Sequence, residues 1–136
     1  MKNFQTKVQR VVVDTNIFFM AWYNPEGKCA KIQKKSRDGK IILYSPDSVR
    51  KEIVRVFQRH NQSDKQIESF LNDFPTIWIG KEIYDEYLDK TQVKHKADKP
   101  VEALSLALKC GILSADNHFR YIKNLMDIDK LLEELK

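Results

Sequence analysis

Apolar and polar positions follow two rhythms along this chain. Residues 11–13 (VVV) and 41–44 (IILY) are unbroken runs rich in β-branched and aliphatic side chains. Such runs read as buried parallel strands, which are covered on both faces and need no polar alternation. Between and after them the spacing turns helical. Residues 17–23 are hydrophobic and helical, Asn24-Pro25-Glu26-Gly27 is a turn, and residues 28–37 form a basic amphipathic helix that ends at Asp38-Gly39. Ser45-Pro46-Asp47-Ser48 opens the next helix, with Ser45 as N-cap, Pro46 at the first helical position, and Val49, Ile53, Val56 and Phe57 as its apolar stripe.

The same reading predicts a helix over 63–72, a strand over 76–79 and a short helix over 81–88. Residues 91–99 are polar and lysine-rich and read as a mobile loop. A helix over 100–109 follows, with Val101, Leu104, Ala107 and Leu108 on one face and Gly111 as its stop. Residues 112–114 form a fourth strand, residues 125–128 a short fifth, and Leu131, Leu132 and Leu135 mark a closing helix. Strands alternating with helices predict an α/β sandwich around a parallel sheet of four to five strands. No repeat or linker interrupts it. The 136 residues read as one domain with a core over about 10–128, since domains usually run roughly 100–200 residues.

Composition changes this picture little. Hydrophobic residues are 42% of the chain and the formal net charge is +5, a balance that suits a globular protein with a polyanionic partner. Cys29 and Cys110 match no zinc or redox spacing and read as free thiols, as expected inside a cell. No secretory signal precedes the first strand, and no apolar run approaches the roughly 18–20 residues needed to span a bilayer. A cytoplasmic protein without a membrane partner is the expectation.

Candidate chemistry lies in four carboxylates. Asp14 stands at the carboxyl end of the first strand and Asp116 just past the end of the fourth, where open α/β sheets bind ligands. Asp98 opens the helix over 100–109 and, taken alone, reads as an ordinary N-cap. Counting about 100° per residue from Val49, Glu52 falls about 60° off, on the side of Val56, so it flanks the buried stripe. Taken alone it reads as a solvated helix residue. Converging carboxylates repel one another and lose hydration, so a cluster of them calls for cations. Oxygen ligands suit Mg²⁺ or Mn²⁺, and a divalent ion beside a basic surface is the chemistry of phosphodiester cleavage.

These residues carry a family resemblance. VVVDTNIFF (11–19) resembles the opening strand of PIN-domain nucleases, SPDSVRKEI (45–53) the helix that supplies their second acid, and ADKPVEALSLALKCGILSADNHF (97–119) their closing signature. The resemblance covers about residues 10–128. It implies a three-layer α/β/α sandwich with a central parallel sheet and RNA hydrolysis dependent on Mg²⁺ or Mn²⁺. Many small members are VapC-like toxins of toxin–antitoxin pairs, so a cognate antitoxin and a homodimer are further implications. Carried onto this chain, Asp14, Asp98 and Asp116 would be the metal ligands and Glu52 would complete the site, directly or through water. Thr15 and Ser114 would orient the carboxylates, and Asn16 would fix the first turn or contact Asp14 or the substrate. Similar closing strands often carry Thr where this chain has Ser114, which keeps the hydroxyl. Glu102 stands where an apolar residue is common; it reads either as an extra acid of the site or as a solvated helix residue.

Lys94, Lys96 and Lys99 adjoin the proposed site and are the best candidates for RNA phosphates. The other basic stretches, residues 28–40 and 50–59, read at least as well as solvated helix faces. His60, His95 and His118 form no ligand spacing, and His118 reads as a surface residue. The tryptophans and phenylalanines read as core.

Two other classes compete with the nuclease. One is a non-catalytic RNA-binding or protein-interaction module of the same fold, which retention of all four acids argues against. The other is a phosphate-transfer domain with Asp14 as nucleophile. Dehalogenase-like phosphatases need a second Asp where this chain has Asn16, and receiver domains need acids where it has Lys7, Gln9 and Arg10.

Overall fold

A computed structural model describes residues 8–136. Its four strands are β1 (Gln9–Val13), β2 (Ile41–Pro46), β3 (Ile77–Ile79) and β4 (Gly111–Leu113). They form one fully parallel sheet in the order β3-β2-β1-β4. Seven α-helices flank it in a three-layer α/β/α arrangement: α1 (Thr15–Tyr23), α2 (Lys28–Arg37), α3 (Asp47–Arg59), α4 (Asp64–Asn72), α5 (Lys81–Tyr84), α6 (Lys99–Leu108) and α7 (Ile128–Glu134).

Connection handedness accounts for the layering. The steps β1 to β2 to β3 run one way across the sheet, and right-handed crossovers place α1 to α4 on one face. The return from β3 to β4 runs the other way and places α5 and α6 on the opposite face, with α6 lying over β1, β2 and β4. The direction reverses between β1 and β4. Val11, Val12, Val13, Ile112 and Leu113 are all buried, as a sheet covered on both sides requires. On the α1 face Phe18 stacks on Trp78 and packs against Phe74, closing the core between α1, β3 and the end of α4. Ser63 and Gln66 cap α4 with a reciprocal box.

Several boundaries differ from the sequence reading. Ser45 does not cap α3. Its hydroxyl, fully buried, donates to the Val13 carbonyl at 2.7 Å, so β2 runs on to Pro46, and Pro46 takes the cap position. Gly111 does not stop α6. Lys109 does, in the left-handed conformation at φ 56°, while Gly111 begins β4 where the Met126 side chain leaves no room for a Cβ. The fifth strand is reduced to an isolated bridge, Ile112 with Leu125. The helix expected over 81–88 splits into α5 and a 3₁₀ segment, Asp85–Lys90. Residues 91–99 are not a loose loop: Val93 is buried, and Lys96–Asp98 form a 3₁₀ turn. Both cysteines are free thiols, Cys29 buried and Cys110 partly so.

Candidate functional site

Asp14 follows β1 and Asp116 follows β4, so both stand at the carboxyl ends of neighbouring strands, at the point where the sheet reverses direction. That crevice is the usual ligand position in open α/β sheets. The Asp14 amide donates to the Leu113 carbonyl at 2.9 Å, which carries the ladder one residue beyond the strand and fixes the two exits side by side. Asp98 arrives from the opposite layer at the start of α6. A carboxylate oxygen from each of Asp14, Asp98 and Asp116 lies within 4.8 Å of the others.

The electrostatics of this group are unfavourable without a cation. Asp14 is 6% exposed. Its pKa is pushed up from 3.8 to about 6, first by burial and further by the charges of Asp98 and Asp116; hydrogen bonds from Ser114 and the Thr15 amide pull the other way. Among the described residues no lysine or arginine pairs with any of the three acids. Three carboxylate oxygens with no lysine or arginine beside them, and the His118 imidazole as their one basic contact among the described residues, are the donor type that a hard divalent cation such as Mg²⁺ or Mn²⁺ takes.

Hydroxyl side chains hold the carboxylates in place. Ser114 Oγ donates to Asp14 Oδ2 at 2.8 Å and accepts the Asp116 amide at 3.0 Å. The Thr15 amide donates to Asp14 Oδ1 at 2.8 Å, and Thr15 Oγ1 donates to Glu52 Oε1 at 2.7 Å. Half-buried Glu52 is therefore linked to Asp14 through one residue, Thr15, by its hydroxyl and its amide, and does not join the group of three. Asn16 Oδ1 accepts the Ala115 amide at 3.2 Å, pinning the exit of β4 to the start of α1.

Three residues behave otherwise than the sequence predicts. Asp98 sits at the cap position of α6 but makes no side-chain cap bond; its Oδ2 lies 2.8 Å from His118 Nδ1. Glu102 is neither solvated nor part of the carboxylate group. It is 3% exposed, and its Oε1 accepts the amides of Gln92 and Val93 at 2.7 and 2.9 Å. A buried carboxylate needs such donors, and here they pin the segment that leads to Asp98. Lys99 turns away from the crevice, its Nζ 3.3 Å from both Thr91 Oγ1 and the Val93 carbonyl. Lys94 and Lys96 are exposed.

His118 and His95 are the residues that sequence reasoning undervalued. His118 Nδ1 also lies 3.2 Å from Asp116 Oδ1, and its ring stacks on His95 with centroids 3.6 Å apart. For His118 a signal existed: Asp116 caps the 3₁₀ turn Asn117–Phe119 and accepts the His118 amide at 2.9 Å, which folds a residue two positions on back beside it. For His95, 23 positions earlier in the chain, no local pattern points to the contact. The other basic stretches are partly neutralised, by Lys28–Asp129, Lys34–Asp38, Arg37–Asp73 and Arg50–Glu68 pairs, as solvated faces are.

No family model matches the sequence, and no curated protein matches it. Among solved structures, the chain is similar to one in the crystal structure of VapBC2 from Rickettsia felis bound to a DNA fragment from their promoter. The two share 15% identity with a TM-score of 0.59, over 87% of this chain and 96% of that one. At that identity the likeness is one of fold.

Proposed function

We propose that the chain is a metal-dependent endoribonuclease that hydrolyses RNA phosphodiester bonds, with Asp14, Asp98 and Asp116 as its metal ligands and Glu52 completing the centre. The observation that carries this reading is the convergence of three carboxylate oxygens from separate chain segments within 4.8 Å of one another. Asp14 among them is buried enough to resist ionisation. A Mg²⁺ or Mn²⁺ ion held there would supply Lewis acidity toward the phosphate and lower the pKa of a bound water.

The chain's own side chains prepare that chemistry. Hydrogen bonds from Ser114 and the Thr15 amide favour the ionised form of Asp14 against its burial, and the Thr15 hydroxyl bonds Glu52 at the edge of the centre, where a carboxylate would orient a water. Lys94 and Lys96, exposed just before Asp98, provide charge for the flanking phosphates.

The test is cleavage of single-stranded RNA by the full chain with Mg²⁺ or Mn²⁺, with chelator, and with the Asp14→Asn variant. Cleavage by the wild type alone, abolished by chelation, is the expected result. Equal cleavage by both proteins, or none by either, removes the nuclease and favours a non-catalytic binding module.

The fold likeness to a chain of VapBC2 supports a narrower reading, that the protein acts in the cytoplasm as the toxin of a toxin–antitoxin pair. Co-expression with the product of the adjacent reading frame should then relieve growth arrest and recover a complex of the two.

A further inference from the structure

Beside the carboxylate group lies a cleft that the proposed metal chemistry leaves unused. Its volume is about 500 Å³, within the roughly 300–1,000 Å³ of sites that hold small ligands. It lies between the segment before Asp98 and the segment after Asp116, and the buried Val93 and Ile122 give it apolar surface. His118 belongs to both places. It lines the cleft, and its Nδ1 lies 2.8 Å from Asp98 Oδ2 and 3.2 Å from Asp116 Oδ1. An occupant of the cleft therefore sits one side chain away from the carboxylates.

The lining decides the class of occupant. Lys94 and Arg120 are exposed, and neither forms an ion pair among the described residues. Among those residues no aspartate or glutamate lines the cleft, so its charge suits an anion. Aromatic rings stand among these cations. Tyr121 is 79% exposed, more than any other large hydrophobic residue described, and the Arg120 guanidinium lies over its ring, 4.6 Å from the centroid. His95 is stacked on His118 at 3.6 Å. Rings interleaved with cations are what an unpaired nucleotide takes, the base against a ring and the phosphates on the cations. A greasy protein segment would need exposed aliphatic surface, and the two aliphatic residues of the lining are buried.

We propose that this cleft seats one unpaired nucleotide of the RNA, beside the phosphodiester to be cut, with its base against Tyr121 and His95 and its phosphates on Lys94 and Arg120. Every base has a face to stack, so the cleft selects single strands over duplexes more than one sequence over another. The inference rests on the nuclease reading for the fate of the RNA, but its binding step is separable from cleavage.

The experiment is equilibrium binding of a fluorescent single-stranded RNA dodecamer of mixed sequence to the full chain, in chelator so that nothing is cut. Tyr121→Ala should weaken binding about tenfold and leave the salt slope unchanged, while Tyr121→Phe keeps the wild-type affinity. Inorganic polyphosphate, which has charge and no bases, should bind wild type and Tyr121→Ala alike. The same RNA annealed to its complement should bind more weakly than the single strand. With 4-thiouridine in the dodecamer, irradiation should crosslink it to residues 92–95 or 117–122. Matching thermal melts exclude misfolding as the cause.

Equal affinity of wild type and Tyr121→Ala for the dodecamer, equal affinity for single strand and duplex, or crosslinks only outside both segments overturn the proposal and leave the cleft to a protein partner. None of these results touches the nuclease reading, which the Asp14→Asn cleavage assay decides. Conversely, Tyr121-dependent RNA binding without any cleavage would leave the nucleotide seat standing and remove the nuclease.

Discussion

The Ser114 hydroxyl donates to Asp14 Oδ2 at 2.8 Å across 100 positions of sequence, while accepting the Asp116 amide at 3.0 Å. One small side chain thus fixes the rotamer of the most buried of the three converging acids and the backbone that carries another. Because its hydrogen bond lowers the pKa of Asp14, Ser114→Ala should raise that pKa further. Protons then compete better with metal, and Mg²⁺ or Mn²⁺ affinity near pH 7 should fall about tenfold. Ser114→Thr, which keeps the hydroxyl, should retain most of it. Calorimetric metal titrations check both.

The pKa of Asp14 also makes a signed prediction for the metal-free protein. In the folded chain it is raised from 3.8 to about 6, so folding favours the protonated form. The contribution to stability is fully present below pH 3.8 and is lost as pH rises through about 6. At neutral pH the ionised Asp14 costs up to about 3 kcal/mol, from roughly 1.4 kcal/mol per pKa unit. Asp14→Asn, neutral throughout, should therefore gain stability relative to wild type as pH climbs from 4 to 7.5. Denaturant melts of the two metal-free proteins across that range measure the gap, and a constant gap contradicts the account.

Glu102 holds the amides of Gln92 and Val93 from a buried position. Glu102→Ala would orphan two donors beside a new cavity, and the expected loss is about 2–4 kcal/mol. Glu102→Gln keeps an oxygen for the same amides and should cost about 1 kcal/mol. Amide hydrogen exchange at Gln92 and Val93 should rise sharply in the alanine variant and little in the glutamine variant.

Of the three lysines next to Asp98, Lys94 and Lys96 are exposed while Lys99 bonds Thr91, so the proposed RNA contacts fall to the first two. Replacing both with Ala should weaken RNA binding and reduce its logarithmic salt slope by about 1.4, at roughly 0.7 per phosphate contact on a single strand. Lys99→Ala should change the slope little and stability more.

The sequence was informative where local chemistry and tertiary need agree. The β-branched runs at 11–13 and 41–44 are strands because both sheet faces are covered, and Val49, Ile53 and Phe57 are buried at helical spacing. Asp14 and Asp116 could be placed at strand ends because strand ends are where apolar runs stop. What stayed hidden depends on contacts between distant segments. Ser45 looks like a cap, yet Val13 offers its hydroxyl an acceptor 32 positions away. Lys109 takes the left-handed cap position that a glycine usually fills, while Gly111, two residues on, begins β4 with the Met126 side chain against it. The polar stretch 91–99 reads as loose, but Glu102 tethers it from the next helix. The stacking of His95 on His118 follows only once α6 and β4 are assembled.

The convergence of Asp14, Asp98 and Asp116 on one ion is tested most directly by a crystal of the protein soaked in Mn²⁺ and measured at the manganese absorption edge. The account predicts an anomalous peak with oxygens of all three acids within roughly 2.0–2.5 Å of it. No peak in the crevice between β1 and β4, or a peak that leaves Asp14 unliganded, would contradict it.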